Sequence, residues 1–270
     1  MAAIFPAWFN VTRSLTCFPS DSSMTSELPL RGGRRLQARL ECTTSPLPRL
    51  SVITVVRNGE ATLEACIRSV AAQTYPNVEH IVVDGASTDG TLDILRRHDS
   101  TLEFWISEPD SGIYNALNKG IGLCSGEHYV VLGCDDVLLP TAAESFMRNA
   151  HKGLIVRGWV FFQSPRKGAM RIRAHSAGSL IHTEAHQRFG YYDESYSIAA
   201  DTKFLMLARG AGVTAEIEDI VGVFVAGGAS GSYGKCVGEH ARAMVESGAW
   251  GAIRCLVWSA PRRALALLRG

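Results

Sequence analysis

Acidic side chains recur directly after short apolar segments of the sequence. Asp84 follows one such segment, Asp110 comes shortly after another, and the pair Asp135–Asp136 comes shortly after a third. Mg²⁺ and Mn²⁺ prefer oxygen ligands, and Mg²⁺ commonly takes one or two carboxylates together with substrate phosphates. The pair therefore predicts a cation site that could neutralise a diphosphate, or more simply two acids that cap a turn. Asp84 could accept hydrogen bonds from a nucleobase or a ribose, or serve only as the turn residue of an Asp-Gly step.

Alternating apolar strands and helices would position these acids. Continuous β-branched and apolar segments predict buried strands at 50–56, 78–83, 102–106 and 129–132. Helical spacing predicts helices between them, at 60–73, 88–95 and 113–123. This alternation is typical of an α/β fold with a Rossmann-like, mostly parallel sheet flanked by helices. Because ligands bind at the carboxyl ends of the strands in such a sheet, we expect the acids to lie at one edge.

The pattern becomes less regular after Pro140. A helix through Phe146 is predicted first, followed by two antiparallel strands at 154–162 and 169–174 around a turn at 165–168. Further elements are predicted near the following positions: a helix at 200–208, a strand at 221–225 and a helix at 239–246. No internal repeat is visible. We therefore predict a single α/β domain over residues 50–232.

Two terminal segments differ from this domain in composition. Residues 1–49 are rich in arginine, serine and proline, contain no lysine and show no sustained period. They are predicted to be a disordered leader or an extension from a misassigned start, with a transit peptide as the alternative. Residues 233–270 are predicted to form a helical, basic tail. This tail could contact an anionic membrane surface or simply pack on the domain.

Composition and missing motifs exclude several classes of protein. The net charge of +1, from 27 basic and 26 acidic residues, argues against a nucleic-acid partner. The seven cysteines are odd in number and show no CxxC spacing. This pattern disfavours a zinc ribbon or a disulfide framework, and it favours reduced thiols in a cytoplasmic protein. No segment approaches the ~18 apolar residues of a membrane-spanning helix. The phosphate-binding patterns GxGxxG, after the first strand, and GxxxxGK[ST] are absent.

Four segments, taken in order, resemble a known family. They are 50–58 (LSVITVVRN), 81–91 (IVVDGASTDGT), 107–120 (SEPDSGIYNALNKG) and Asp135–Asp136. Together they resemble the family 2 glycosyltransferases of the GT-A fold, in particular the bacterial enzymes that build exopolysaccharide, colanic-acid-like repeat units and cell-envelope glycolipids. The resemblance extends over about residues 50–230. It implies the fold of nucleotide-diphospho-sugar transferases.

The resemblance also implies roles for the matching residues on the donor side. Arg57 would flank the nucleotide and Asp84 would bind the nucleobase. Asp136 would contact the metal, with Asp135 nearer the ribose or the sugar. Other matching residues would line the donor pocket, namely Asp110, Asn118, Lys119, Gly227 and Gly228.

On the acceptor side, the resemblance implies that Asp201 is the catalytic base and that His175 lies near the acceptor and diphosphate. Taken alone, Asp201 is better explained as an acid in the first turn of a helix, where the helix dipole favours negative charge; the resemblance is what favours the base. The sequence departs from the family at two nearby positions: Thr202 replaces a frequent aromatic residue, and Leu207 replaces a frequent arginine.

The function implied by the resemblance is inverting transfer of a sugar from a nucleotide-diphosphate sugar to a hydroxyl of a glycan or lipid-linked acceptor. Mg²⁺ or Mn²⁺ is the expected cofactor, and UDP is favoured over GDP and dTDP. The expected location is the cytoplasm, with peripheral contact to the inner face of the membrane through the tail. The alternative is a non-catalytic, nucleotide-sugar-binding scaffold of the same fold. A nucleotidyltransferase is disfavoured because the glycine-rich loop with Arg and Lys expected after its first strand is missing.

Overall fold

The computed structural model describes residues 29–37, 45–164, 168–173, 176–225 and 233–248, which form a central sheet with helices on both faces. The strands are β1 (Leu30–Gly32), β2 (Leu50–Val56), β3 (Val78–Asp84), β4 (Phe104–Ser107), β5 (His128–Val131), β6 (Val137–Leu138), β7 (Ile155–Ser164), β8 (Gly168–Ile172), β9 (Ser179–His182) and β10 (Thr214–Val225). The helices are α1 (Arg34–Gln37), α2 (Leu63–Ala71), α3 (Thr91–Arg97), α4 (Ile113–Leu123), α5 (Ala142–Asn149), α6 (Glu184–Phe189), α7 (Ala200–Gly210) and α8 (Tyr233–Glu246).

Four parallel strands form one half of the sheet, in the order β4-β3-β2-β5. Leu50 pairs with Val78 on one side and with His128 on the other, so β2, β3 and β5 begin at the same level. Every residue of β2 except Val55 is buried, as a strand covered on both faces requires. The carboxyl ends of the four strands therefore meet at one edge, and the predicted α/β fold, with a sheet flanked by helices, is confirmed; the parallel order holds for this half of the sheet.

The other half of the sheet is mixed. Strand β9 pairs antiparallel with both β5 and β7, and β10 runs parallel to β7 and antiparallel to β6. The predicted hairpin corresponds to β7 and β8, which pair antiparallel. Strands β6 and β9 were not predicted because, with two and four residues, they are too short to show a period.

Successive side chains of the central strands point to opposite faces, so apolar residues are buried on both faces of the sheet. On one face, Ile53 and Val131 pack with residues of α4, α6 and α7. On the other face, Val52 and Val130 pack with residues of α2 and α5. Helices α4 and α7 therefore lie on the same face of the sheet, which brings the residues at their amino ends within reach of each other.

Part of the predicted leader belongs to the sheet, so the expectation of disorder up to residue 49 is wrong for residues 29–37. Strand β1 pairs antiparallel with β4, with Leu30 opposite Ser107. The guanidinium of Arg35 lies 3.1 Å from the buried carboxylate of Glu79 and donates a 2.8 Å hydrogen bond to the carbonyl of Leu123. Burial of one partner makes this ion pair more than a solvated surface contact. Residues 1–28 and 38–44 lie outside the described residues.

The C-terminal part of the chain is described up to residue 248, where helix α8 has ended. The expected helix in this region is present, and it begins earlier than the predicted 239. The arginine-rich residues of the expected tail, from 250 onward, lie outside the described residues. Within the part of the chain that the structure describes, no helix combines the length and apolar character needed to cross a membrane.

Candidate active site

The loops that follow β2, β3 and β4 converge at the carboxyl edge of the sheet. Gly85 marks the point of closest approach: a Cβ atom added there would overlap Oδ2 of Asp110 and lie 3.6 Å from Cδ of Arg57. The absence of a side chain at Gly85 therefore allows Arg57 and Asp110, which are far apart in sequence, to lie side by side. Two of the expected donor residues are together at the edge where ligands bind in this type of sheet.

Asp84 is fully buried and its carboxylate organises the β3 loop. It accepts a hydrogen bond of 3.1 Å from the backbone N–H of Ser87, another from the Ser87 hydroxyl, and one of 2.6 Å from the hydroxyl of Ser107. These bonds fasten the ends of β3 and β4 to each other. Because the carboxylate is fully buried, it is closed to a nucleobase in this conformation of the loop.

Two non-glycine residues adopt the left-handed conformation next to this loop. Asn58 and Ala86 both have a φ of 54°. For an alanine this conformation is unfavourable, and such residues cluster at functional sites where the surroundings hold them. Here the backbone N–H of Asn58 donates to Oγ of Ser87 over 2.7 Å, and Oδ1 of Asn58 accepts the N–H of Thr88 over 2.9 Å. The β2 and β3 loops thus form one rigid unit.

The carboxylates of Asp135 and Asp136 converge over Gly133. A Cβ atom added to Gly133 would lie 2.9 Å from Oδ1 of Asp135 and 2.7 Å from Oδ2 of Asp136. The backbone N–H of Asp136 closes a turn by donating to the carbonyl of Gly133 over 3.0 Å. Glycine leaves open the space that both oxygens border. Two carboxylate oxygens around a small space fit a hard divalent cation such as Mg²⁺ or Mn²⁺.

Two thiols lie beside the acidic pair. Burial, together with the charge of Asp135, raises the pKa of the Cys134 thiol to about 11. Burial raises the pKa of Cys66 to about 12. Both are therefore protonated at neutral pH, and a thiol without its charge is a poor metal ligand. The site offers oxygen rather than sulfur ligands, although Cys134 immediately precedes the pair.

The remaining expected donor residues make contacts within the protein. The ammonium of Lys119 lies 2.7 Å from Oε1 of Glu108 and donates to the carbonyl of Pro109. The buried amide of Asn118 donates to the carbonyl of Tyr192 over 2.9 Å and accepts the N–H of the same residue over 3.1 Å. Lys119 therefore supports the loop that carries Asp110, and Asn118 holds the segment that leads toward α7.

Asp201 lies in the first turn of α7, as expected. Its Oδ1 accepts a hydrogen bond of 3.0 Å from the hydroxyl of Tyr114 and one of 2.8 Å from the backbone N–H of Thr202. Burial and the neighbouring Asp201 charge raise the pKa of Tyr114 far above its usual value, so the hydroxyl keeps its proton and remains a donor. Tyr114 belongs to the first turn of α4, the helix that begins three residues after Asp110.

Helix α8 supports the start of α7 through Glu239. The Glu239 carboxylate accepts hydrogen bonds from three consecutive backbone N–H groups, of Ser197, Ile198 and Ala199, at 3.0, 2.7 and 3.1 Å. These groups belong to the segment that ends at Ala199, the N-cap residue of α7, where a carboxylate also interacts favourably with the helix dipole. The segment that leads into Asp201 is thereby fixed by a residue 38 positions later in the sequence.

Sequence analysis did not find Tyr114, Glu239, Ser87 or Ser107. The three hydroxyl residues lie within segments 81–91 and 107–120, which resemble the family, but nothing in their spacing indicates what they contact. Glu239 shows no local signal, because its partners lie about 40 residues away. His175, Gly227 and Gly228 lie outside the described residues, so their expected roles stay predictions.

A parallel half-sheet flanked by helices, with acidic residues at the carboxyl ends of its strands, is the architecture of the GT-A fold. The chain belongs to the family described as "Glycosyl transferase family 2", whose profile matches residues 51–204. It is accordingly a transferase enzyme that acts on glycosyl groups.

Curated relatives are bacterial glycosyltransferases. An uncharacterized glycosyltransferase of Mycobacterium tuberculosis (strain H37Rv) is 32% identical over 180 residues, covering 60% of this chain and 69% of the relative. A "PGL/p-HBAD biosynthesis glycosyltransferase" of Mycobacterium bovis is 39% identical over 94 residues, covering 34% of this chain and 37% of its own length. The second match is thus confined to about a third of each protein.

Solved structures share the fold at low sequence identity. The structure of Staphylococcus aureus TarS 1-349 in complex with UDP-GlcNAc matches with a TM-score of 0.62 and 18% identity, over 74% of this chain and 65% of that chain. The mannosyltransferase PcManGT from Pyrobaculum calidifontis, in complex with GDP-Man and Mn²⁺, matches with a TM-score of 0.54 and 20% identity, over 87% of this chain and 85% of that chain.

Proposed function

We propose that the protein is an inverting glycosyltransferase that moves a sugar from a nucleotide-diphosphate sugar to a hydroxyl of a glycan or lipid-linked acceptor in cell-envelope or exopolysaccharide synthesis. The observation that carries this proposal is the contact between Tyr114 and Asp201. Because α4 begins beside Asp110, this contact puts the carboxylate of α7 next to the edge that bears the expected donor residues. A base beside a donor site is what direct displacement requires.

A divalent cation would be held by Asp136, with Asp135 beside it, over Gly133. When bound, Mg²⁺ or Mn²⁺ stabilises the negative charge that develops on the departing diphosphate. The chain's own contribution is to keep the two carboxylate oxygens adjacent. Arg57, Asp110, Asp84 and Lys119 would shape the nucleotide side of the pocket, directly or through the loop bonds described above.

Asp201 would act as the base. It takes the proton of the acceptor hydroxyl while the hydroxyl oxygen forms a bond to the anomeric carbon, and the bond from that carbon to the diphosphate oxygen breaks. One direct displacement inverts the anomeric configuration. Tyr114 and the N–H of Thr202 both bond to Oδ1, which orients the carboxylate for this transfer.

For the donor we propose UDP in preference to GDP or dTDP. Support for a nucleotide-sugar comes from the fold neighbours, which were crystallised with UDP-GlcNAc in one case and with GDP-Man and Mn²⁺ in the other. For the acceptor, the relative named for PGL/p-HBAD biosynthesis supports a role in the cell envelope. We further propose that the enzyme works in the cytoplasm, at the inner face of the membrane, with its basic C-terminal residues toward the lipid.

The catalytic domain is proposed to span residues 50–232, with residues 29–37 added to its sheet edge. His175, Gly227 and Gly228 keep the roles that the resemblance implies: His175 on the acceptor and diphosphate side, and the two glycines on the donor side. The alternative of a non-catalytic scaffold with the same fold would bind the same donors without turnover.

The experiment that tests the proposal is a donor screen with the full chain. Nucleotide-sugars with UDP, GDP and dTDP are incubated with Mn²⁺ or Mg²⁺, and released nucleoside diphosphate is measured with and without simple glycoside acceptors. We expect turnover with one nucleotide class and its loss in Asp136→Asn and Asp201→Asn, with donor binding retained in Asp201→Asn. Binding without turnover in the wild type would support the scaffold, and unchanged turnover in both variants would overturn the assignment.

A further inference from the structure

Three residues with metal-binding side chains meet at the edge of the sheet opposite to the acidic pair. Glu127 precedes β5, His128 is the first residue of β5, and His182 is the last residue of β9. His128 and His182 are directly paired across the two antiparallel strands. Each of the three residues offers a ligand atom within 4.8 Å of the other two. In the part of the chain that the structure describes, this is the one such group of three, and it contains neither Asp135 nor Asp136.

Within the described part of the chain, one ring nitrogen of His128 is unsatisfied. The residue is 9% exposed, and its Nδ1 is buried without a hydrogen-bond partner among the described residues. Its ring meets that of His182 edge to face, with 4.6 Å between the ring centres. A buried polar atom without a partner costs free energy, and in native proteins it commonly marks a water or ion.

The backbone around the three residues is already fixed. The N–H of His182 donates to the carbonyl of Leu154 over 2.8 Å, and the N–H of Thr183 donates to the carbonyl of Glu127 over 2.8 Å. The two segments that carry the ligands are therefore tied to each other by main-chain hydrogen bonds. Binding a cation needs rotation of side chains only, and Glu127 is exposed and able to turn.

His182 presents a lone pair near the cluster. Its Nδ1 accepts the backbone N–H of Glu184 over 3.1 Å, which requires that this nitrogen carry no proton. A cation bound to Nδ1 would replace that hydrogen bond. Tetrahedral zinc with bonds of ~2.0–2.1 Å places its ligand atoms roughly 3.3 Å apart. The distances between the ligand atoms of the three residues would therefore have to shorten by about 1.5 Å at most.

We propose that Glu127, His128 and His182 bind one transition-metal cation of the Zn²⁺ class, with water as the fourth ligand. Two imidazoles and one carboxylate favour such a cation over Mg²⁺, whereas the oxygen ligands of Asp135 and Asp136 favour Mg²⁺ or Mn²⁺. The bound ion joins β5 to β9, the strands where the parallel half of the sheet meets the mixed half. It is a structural site, and it does not depend on the proposed catalytic function.

The test measures metal binding by the full chain without an affinity tag. Titration with Zn²⁺ is followed by calorimetry, and titration with Co²⁺ by visible absorption. We expect one equivalent to bind and the melting temperature to rise by several degrees with Zn²⁺ but not with Mg²⁺. His182→Gln and Glu127→Gln lose this binding, whereas His151→Gln, an exposed histidine elsewhere, and Asp136→Asn retain it.

Three results would overturn the inference. The first is the absence of a stoichiometric site, and the second is its persistence in both His182→Gln and Glu127→Gln. The third is a thiolate-to-cobalt charge-transfer band, which would assign the ion to cysteines. Circular dichroism of each variant separates loss of the ligand from loss of the fold, and Glu127→Gln changes an exposed side chain that the fold does not require.

Discussion

The hydroxyl of Tyr114 donates a 3.0 Å hydrogen bond to Oδ1 of Asp201. Tyr114 is 3% exposed and belongs to α4, which starts at the donor edge, whereas Asp201 belongs to α7 on the same face of the sheet. The proposed base is thus oriented by the helix that begins next to the donor loops.

Removal of that hydroxyl tests its role in catalysis. Tyr114→Phe keeps the ring packed in the core but leaves Oδ1 of Asp201 with one donor, the N–H of Thr202. We expect kcat to fall about tenfold, which corresponds to ~1.4 kcal/mol, with the donor KM nearly unchanged. Steady-state kinetics measures both constants. Tyr75→Phe is the control, because among the described residues that hydroxyl bonds to the carbonyl of Pro48 and to no group near Asp201. An equal loss of kcat there would contradict the interpretation.

The three backbone bonds to Glu239 predict that this residue positions α7. Glu239→Gln keeps the size of the side chain and removes its charge, so the N–H groups of residues 197–199 lose a charge-assisted acceptor. We expect kcat to fall by about tenfold. Donor binding should stay within about twofold, because the donor edge is untouched.

Glu246→Gln provides a matched control for Glu239 in the same helix. Glu246 contacts Lys203 and Tyr196 but not the backbone that leads into Asp201. Its substitution should lower the melting temperature and leave kcat close to that of the wild type. If both variants lose kcat equally, Glu239 has only a general structural role.

Gly133 leaves open the space between the two carboxylates, and alanine would fill it. The added methyl group would lie under 3 Å from oxygens of both Asp135 and Asp136, so at least one must move. Because a displacement of about 1 Å in a catalytic site can cost about 100-fold, we expect kcat/KM to fall by up to that factor and Mn²⁺ to bind more weakly.

A control for Gly133→Ala is available in α7. A Cβ atom added to Gly210 meets nothing within 4 Å, so Gly210→Ala should leave activity and Mn²⁺ dependence unchanged. Activity is measured over a range of Mn²⁺ concentrations. Full activity of Gly133→Ala at low Mn²⁺ would argue against a cation at this position.

Stability should fall in acid because of His80. This histidine is buried in β3, and burial lowers its pKa to about 3. Below pH ~6.5 the unfolded chain takes up a proton there that the folded chain does not, so stability decreases as pH falls until the folded pKa is reached. The expected contribution is about 1.4 kcal/mol per pH unit between pH 6 and 4.

Urea unfolding of His80→Gln at several pH values measures that slope. The variant should show a flatter dependence than the wild type. Thr54→Val, which removes the 3.0 Å hydrogen-bond partner of His80 without removing the titrating ring, should keep the wild-type slope at lower overall stability. If the slope of His80→Gln equals that of the wild type, groups other than His80 control the loss of stability in acid.

The parallel half of the fold could be predicted because its signals are local. Strand β2 was predicted at its observed bounds, since a continuous apolar segment flanked by polar residues leaves little choice of ends. The same holds for α4, whose apolar residues recur with helical spacing. The edge position of the acids then follows from the parallel direction of the strands.

The features of the fold and site that could not be predicted depend on contacts between residues that are distant in sequence. Asn118 was expected to line the donor pocket, but its described hydrogen bonds go to Tyr192 and Glu194, because the direction of a helical side chain depends on what packs against the helix. Strand β1 was missed because three residues bear no period, and its pairing with β4 is set by tertiary contacts. Glu239 could not be predicted for the same reason.

Strand β1 also covers an edge of the sheet. Without it, β4 would be an outer strand with unpaired N–H and C=O groups beside the apolar residues Phe104 and Trp105, a combination that invites edge-to-edge aggregation. A shortened protein that begins at residue 50 would lose this cover, together with the contact from Arg35 to the buried Glu79. A start at Met24 would retain both, so the choice between these two starts should decide whether the catalytic domain stays monodisperse.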